Sequence, residues 1–105
     1  MSESERRETS VGPVLQPTPF GRAVVAAIQA ENDDVVVRDE GAYIRVHTPC
    51  VCRLTKAEIE AQLGEVVRFP GDLEVAMPSF SGLVEMTDTG ATWWRASEPK
   101  PDTPR

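Results

Sequence analysis

Three side chains within six residues, His47, Cys50 and Cys52, have the right types to bind a metal or to form a nucleophile. Imidazole and thiolate are zinc ligands, but a structural zinc site is usually closed by four protein ligands from two separated pairs. No second pair accompanies these three. A Cys–His nucleophile needs a third group to orient the base, and the sequence marks none. The Cys-x-Cys spacing instead suits two small core residues on one face of a strand. Helical dimetal sites are built from carboxylates with Glu-x-x-His pairs. The chain has one histidine, and Ile44 stands three residues before it, so it cannot itself hold such a site. Glu58 with Glu60 and Asp33 with Asp34 read as solvated helix and turn carboxylates rather than an acid–base pair. The glycines match neither GxGxxG nor GxxxxGK[ST], so no nucleotide loop is indicated. Chemistry is therefore expected in a partner, and this chain is expected to present a surface.

Two stretches would build that surface. Thr55-Lys-Ala-Glu58 reads as a capping box, with Thr55 at the N-cap and Glu58 three positions on. Ile59 and Leu63 then share one helical face, and Gly64 stands where the helix should end. The second stretch, Met77-Pro-Ser-Phe-Ser-Gly82, is an apolar loop interrupted by Pro78 and Gly82. Phe80 is either packed into the core there or held out as a rigid anchor that loses little entropy on binding. Adjacent Trp93 and Trp94 on a strand should face opposite ways, one into the core and one toward an edge or a partner.

Composition narrows the partner. At 105 residues the chain is one domain with a modest core, and its charge is −6. Binding to nucleic acid or to an anionic membrane is disfavoured, because both need clustered lysine and arginine. A basic protein partner fits that sign. The longest apolar run, Ala23 to Ile28, is far too short to span a membrane. The charged start, Met1-Ser-Glu-Ser-Glu, is not a secretory signal, and two cysteines one residue apart are poorly placed to pair. A reducing, cytoplasmic setting is expected.

The elements that position these residues follow from periodicity. Residues 1–10 and the proline-rich 96–105 are expected to be flexible tails around a domain at 11–95. Val11 to Leu15 reads as an extended strand, placed at an edge by Pro13. Thr18 and Pro19 open a helix over Phe20 to Glu31, which Asn32-Asp33-Asp34 ends. Val35–Val37 and Tyr43–His47 form a hairpin around Asp39–Gly41, with Ile44 and Val46 inward and Arg45 outward, or the reverse. Cys50–Leu54 resumes as a strand and leads to the helix at 56–63. Phe69-Pro-Gly71 is a turn, and Leu73–Val75 is a short strand or a helical turn. Leu83–Met86 and Thr92–Arg95 form a last hairpin. The sum is an α+β domain, two main helices over an antiparallel or mixed sheet.

The order and spacing of four of these pieces resemble a known family. They are Val11-Gly-Pro-Val14, Ala42-Tyr-Ile-Arg-Val46, Leu54 to Gly64 and Ser79-Phe-Ser-Gly82, together spanning about residues 11–84. The chain is similar to the small effector, or coupling, proteins of soluble bacterial multicomponent diiron monooxygenases, which act on toluene, phenol, alkenes and methane. The Ser-Phe-x-Gly form lies nearest the toluene and alkene branch, and Pro78 departs from the small or polar residue common at that place. The resemblance implies an α+β protein without catalytic residues, metal or cofactor. It implies binding to the diiron hydroxylase, with effects on substrate access, regioselectivity and coupling of electrons to product; whether the protein competes with the ferredoxin or reductase for the hydroxylase is left open by the sequence. It places the hydroxylase contact at Ala76, Met77, Pro78, Ser79 and Phe80; apart from the resemblance, Tyr43 and Asn32 are expected near the same partner. The competing readings are a small metal-binding or thiol enzyme using His47, Cys50 and Cys52, and an unrelated interaction module.

Overall fold

The computed structural model describes residues 10–102, which form ten elements. They are β1 (Ser10–Leu15), α1 (Pro19–Glu31), β2 (Val36–Asp39), β3 (Ile44–Pro49), β4 (Val51–Thr55), α2 (Lys56–Leu63), α3 (Gly71–Ala76), β5 (Ser79–Ser81), β6 (Leu83–Met86) and β7 (Gly90–Trp94). The expected N-terminal tail, apart from Ser10, lies outside the described residues. α1 opens where expected. Thr18 is the N-cap, its hydroxyl accepting from Gly21 N at 3.0 Å, with Pro19 in the first turn. Its apolar stripe, Ala23, Val24, Ala27 and Ile28, is buried. Among the described residues no helix is long and apolar enough to cross a membrane.

The strands form two antiparallel sheets, ordered β2-β3-β1-β5 and β4-β7-β6. β1 is thus an interior strand, not the edge that Pro13 suggested. The reason lies in how its backbone is shared. Its ladder with β3 pairs Val11 with Thr48 and Val14 with Arg45 but omits Gly12 and Pro13. Pro13 has no N–H to donate there. Gly12 presses against β3 so closely that a Cβ would lie 2.3 Å from Val46 O. On its other side β1 pairs Gly12, Pro13 and Val14 with Ser81, Phe80 and Ser79.

The chain changes sheets twice. Between β3 and β4 it turns at Cys50, whose φ is +65°, and the Thr48 hydroxyl donates across the corner to Val51 O. Cys50 is therefore a half-buried corner residue, and only Cys52 is a core thiol. Between β5 and β6 the chain turns at Gly82, with φ of +92°. A Cβ there would sit 2.5 Å from Trp94 O and 2.8 Å from Val11 Cγ1, so glycine is required on both counts. Leu73–Val75 is helical, part of α3, which gives three helices rather than two.

Leu15, Val24, Ile28, Leu54, Ile59, Leu73 and Trp93 fill the core with essentially no exposure. Trp94 and Thr92 alternate with Trp93 and face the other side of the second sheet, yet both are buried too. The segment after β7, expected as a tail, returns along that side. Arg53 Nη1 donates to Asp102 O at 2.6 Å, and Lys100 pairs with Glu85. Among the described residues the buried Thr92 hydroxyl and Trp93 Nε1 have no hydrogen-bond partner. A buried polar group in that state costs about 1–3 kcal/mol. Thr92→Val keeps the shape and removes the orphaned hydroxyl, so it should raise the melting temperature by a few degrees. A lower melting temperature would show that the hydroxyl is bonded in solution.

Candidate docking site

The stretch Ala76 to Phe80 divides in two. Ala76 and Met77 are buried at 5% and 8% exposure, and Met77 belongs to the core. Pro78, Ser79 and Phe80 are exposed. What read as a loop is a short edge strand, β5, added to β1. Sequence gave no alternation long enough to show it, because three residues do not make a period.

Pro13 also fixes how β5 is oriented. The pair Pro13–Phe80 cannot be hydrogen-bonded through a proline nitrogen, so the bonds fall on the flanking pairs, Gly12–Ser81 and Val14–Ser79. The N–H and C=O of Phe80 then point away from β1, toward the open edge. The Phe80 side chain lies on the same face as Pro13, at the rim of the core, and is 42% exposed. Its edge carries no charge, whereas β2, at the opposite edge, carries Arg38 and Asp39. Among the described residues this leaves an uncharged edge with outward-facing backbone groups and an aromatic side chain between a proline and a glycine, the features of a sheet edge open to pairing.

Tyr43 stands at the same end of the sheet. The registers Leu15–Ile44 and Val14–Ser79 place Tyr43 and Pro78 on either side of the end of β1, two strand spacings or roughly 10 Å apart. Tyr43 is half-buried, and its carbonyl accepts from Glu40 N at 2.9 Å in the hairpin turn.

Asn32 lies at the far end of α1, a 13-residue helix about 20 Å long. Its amide is used within the chain. Nδ2 donates to Ile28 O at 2.8 Å and Arg53 O at 2.7 Å, and Oδ1 accepts from Arg53 N at 2.9 Å. Asn32 thus ties the end of α1 to β4 instead of standing free beside Phe80. Its neighbour Glu31 completes the tie. Its two carboxylate oxygens accept from Thr55 N at 2.8 Å and Thr55 Oγ1 at 2.9 Å.

That pairing modifies the expected capping box. Thr55 Oγ1 does accept from Glu58 N, at 3.2 Å. The reciprocal bond to Thr55 N comes from Glu31, 24 residues earlier, while Glu58 accepts from Gln62 Nε2 at 3.0 Å. Glu60 accepts from Val67 N at 2.9 Å. Glu58 and Glu60 therefore hold local structure.

His47, Cys50 and Cys52 do not converge. Among the described residues no group of three or more His, Cys, Asp and Glu side chains is placed to hold a metal. His47 is on β3, opposite Val36, and Cys50 is at the corner. Burial pushes the Cys52 thiol up to about 12, so it stays protonated and non-nucleophilic at neutral pH. Burial, reinforced by Arg45 and Arg38, holds the His47 imidazole below its ordinary value.

The described residues thus form two antiparallel sheets, with an exposed, uncharged edge strand beside β1. The chain belongs to the MmoB/DmpM family, whose model matches residues 9–94. It is 37% identical over 92 residues to the alkene monooxygenase system effector subunit of Xanthobacter autotrophicus, covering 86% of this chain and 90% of that protein. Its fold is also similar to that of a chain in the phenol hydroxylase–regulatory protein complex, with a TM-score of 0.72. That likeness covers 81% of this chain and 97% of the other, at 20% identity.

The two kinds of site residue should separate in stability measurements. Asn32→Ala removes three hydrogen bonds and leaves Arg53 N–H and C=O to water, so it should cost about 1–3 kcal/mol in denaturant unfolding. Phe80→Ala, at an exposed edge, should cost less than Asn32→Ala. The reverse order would place Phe80 in the core and remove it from the docking site. A native-state thiol titration should label Cys50 and leave Cys52 unlabelled; equal rates would contradict the burial of Cys52.

Proposed function

We propose that this protein is a noncatalytic effector subunit of a multicomponent monooxygenase, binding the diiron hydroxylase of its own system through Pro78, Ser79 and Phe80. The exposed β5 edge, with Phe80 between Pro78 and Gly82, is the observation that carries the reading. Family membership and the effector name of the alkene monooxygenase relative support it. In this reading Tyr43 flanks the contact, Ala76 and Met77 anchor β5 from the core side, and Asn32 acts from a distance by fixing α1 to β4.

An effector without catalytic groups works by binding one hydroxylase conformation better than another. A 10–100-fold change in turnover needs only about 1.4–2.7 kcal/mol of differential binding, within the usual range for coupling between sites. One aromatic anchor and two backbone hydrogen bonds are enough to supply it. Covering the hydroxylase surface above its metal site would keep water from a reactive oxygen intermediate, which is how effector binding would raise coupling and alter regioselectivity. An effector on that surface would also compete with the ferredoxin or reductase that delivers electrons.

Titrating the protein into its cognate hydroxylase, with reductase and ferredoxin present, tests this through product formed per NADH consumed. The yield should rise and saturate near one effector per active site. Phe80→Ala should shift half-saturation upward about tenfold or more while the folded state persists. A yield indifferent to the protein at every ratio would refute the effector assignment.

A further inference from the structure

The net charge of −6 conceals one face of the opposite sign. In the β2–β3 hairpin Val37 and Val46 are paired and face the core, so their neighbours face out. Arg38 lies directly opposite Arg45, and Val36 opposite His47. Both arginines are exposed, and Val36 is 50% exposed. Among the described residues neither arginine has an ion-pair partner, while nearby Asp39 is already paired with Arg22 at 3.5 Å. The effect of both guanidiniums on His47 shows that the three groups share one field.

Like charges directly opposite on neighbouring strands destabilise a sheet. The protein bears that cost on an exposed face where many other residues would serve, and a bound anionic partner would offset it. The sheet register shows where such a partner would extend. Arg38 pairs with Arg45, Arg45 with Val14, and Val14 with Ser79, one row on one face crossing all four strands. The row ends on β5, beside the backbone edge of Phe80.

We infer that this outer face, Arg38 and Arg45 with Val36, Val14 and Ser79, docks a carboxylate-bearing surface of the hydroxylase, continuous with the β5 contact. The inference rests on the effector reading and adds a second, electrostatic half to its interface. Arginine suits the task, since its planar fork matches a carboxylate in two-point contact. The row meets the β5 contact at its backbone edge, on the face opposite the Phe80 side chain, and such charges act mainly on association rate and specificity.

Affinity for the cognate hydroxylase, measured at low and high salt for wild type, Arg38→Glu, Arg45→Glu and the corresponding Gln variants, tests it. Each Glu substitution should weaken binding on the order of tenfold at low salt and flatten the salt dependence, with Gln variants intermediate. Each single reversal should also leave the melting temperature equal or higher, because it turns a like-charge pair into an opposite-charge pair. Wild-type binding with all four variants equally tight, at unchanged salt dependence, overturns the inference and leaves the effector reading standing. No binding by wild type refutes the effector reading, and the inference with it.

Discussion

Pro13 lacks an N–H, and much of the four-stranded sheet is arranged around that missing donor. β1 is interior, so each residue should offer its backbone groups to one neighbour or the other. At Pro13 the turn belongs to β3, and the ladder lapses there. Gly12 allows the strands to stay close through the lapse. On the other side the lapse does no harm, because Gly12 and Val14 carry the bonds to β5. Phe80 then faces its own N–H and C=O outward. A restriction usually confined to edges thus sets the orientation of the edge next door.

The second sheet and the helices depend on a compact polar tie. Asn32 and Glu31, consecutive at the end of α1, reach Arg53 and Thr55 at the end of β4. Thr55 closes the strand and also caps α2. One carboxylate and one amide therefore fix where a helix ends, where a strand ends and where the next helix starts. The apolar contacts of Ile28, Leu54 and Ile59 supply most of the favourable energy, but they do not specify register. Directional bonds, which fail when a strand slips by one residue, do so.

Electrostatics at the surface is decided locally. A charge of −6 describes the far field and favours a basic partner. Within a Debye length of about 8–10 Å the relevant charges are those on one face. On the outer face of the four-stranded sheet those are arginines. The composition of a chain and the character of its contact face can differ in sign, because pairing of strands brings together residues that are separated in sequence. Arg38 and Arg45 are opposite one another only because the hairpin turns at Asp39–Gly41.

The sequence alone determined what depends on neighbours within four or five positions. Thr18 and Thr55 opened helices, Gly64 closed one, the alternation around Ile44 and Val46 marked a strand without saying which face was inner, and the order of four short motifs pointed to the family. Tertiary structure decided whatever needed a distant partner. It made β5 a strand, since a three-residue strand exists only by pairing with β1. It gave Thr55 N to Glu31 rather than Glu58, because the end of α1 arrives there first. It buried Trp94 as well as Trp93, because the chain after β7 returns over that face. It turned Asn32 from a candidate contact into a tie between α1 and β4. Local signals are carried by φ/ψ preference and side-chain period, whereas these outcomes rest on hydrogen bonds and burial between segments tens of residues apart, which become specific only once the sheets have formed.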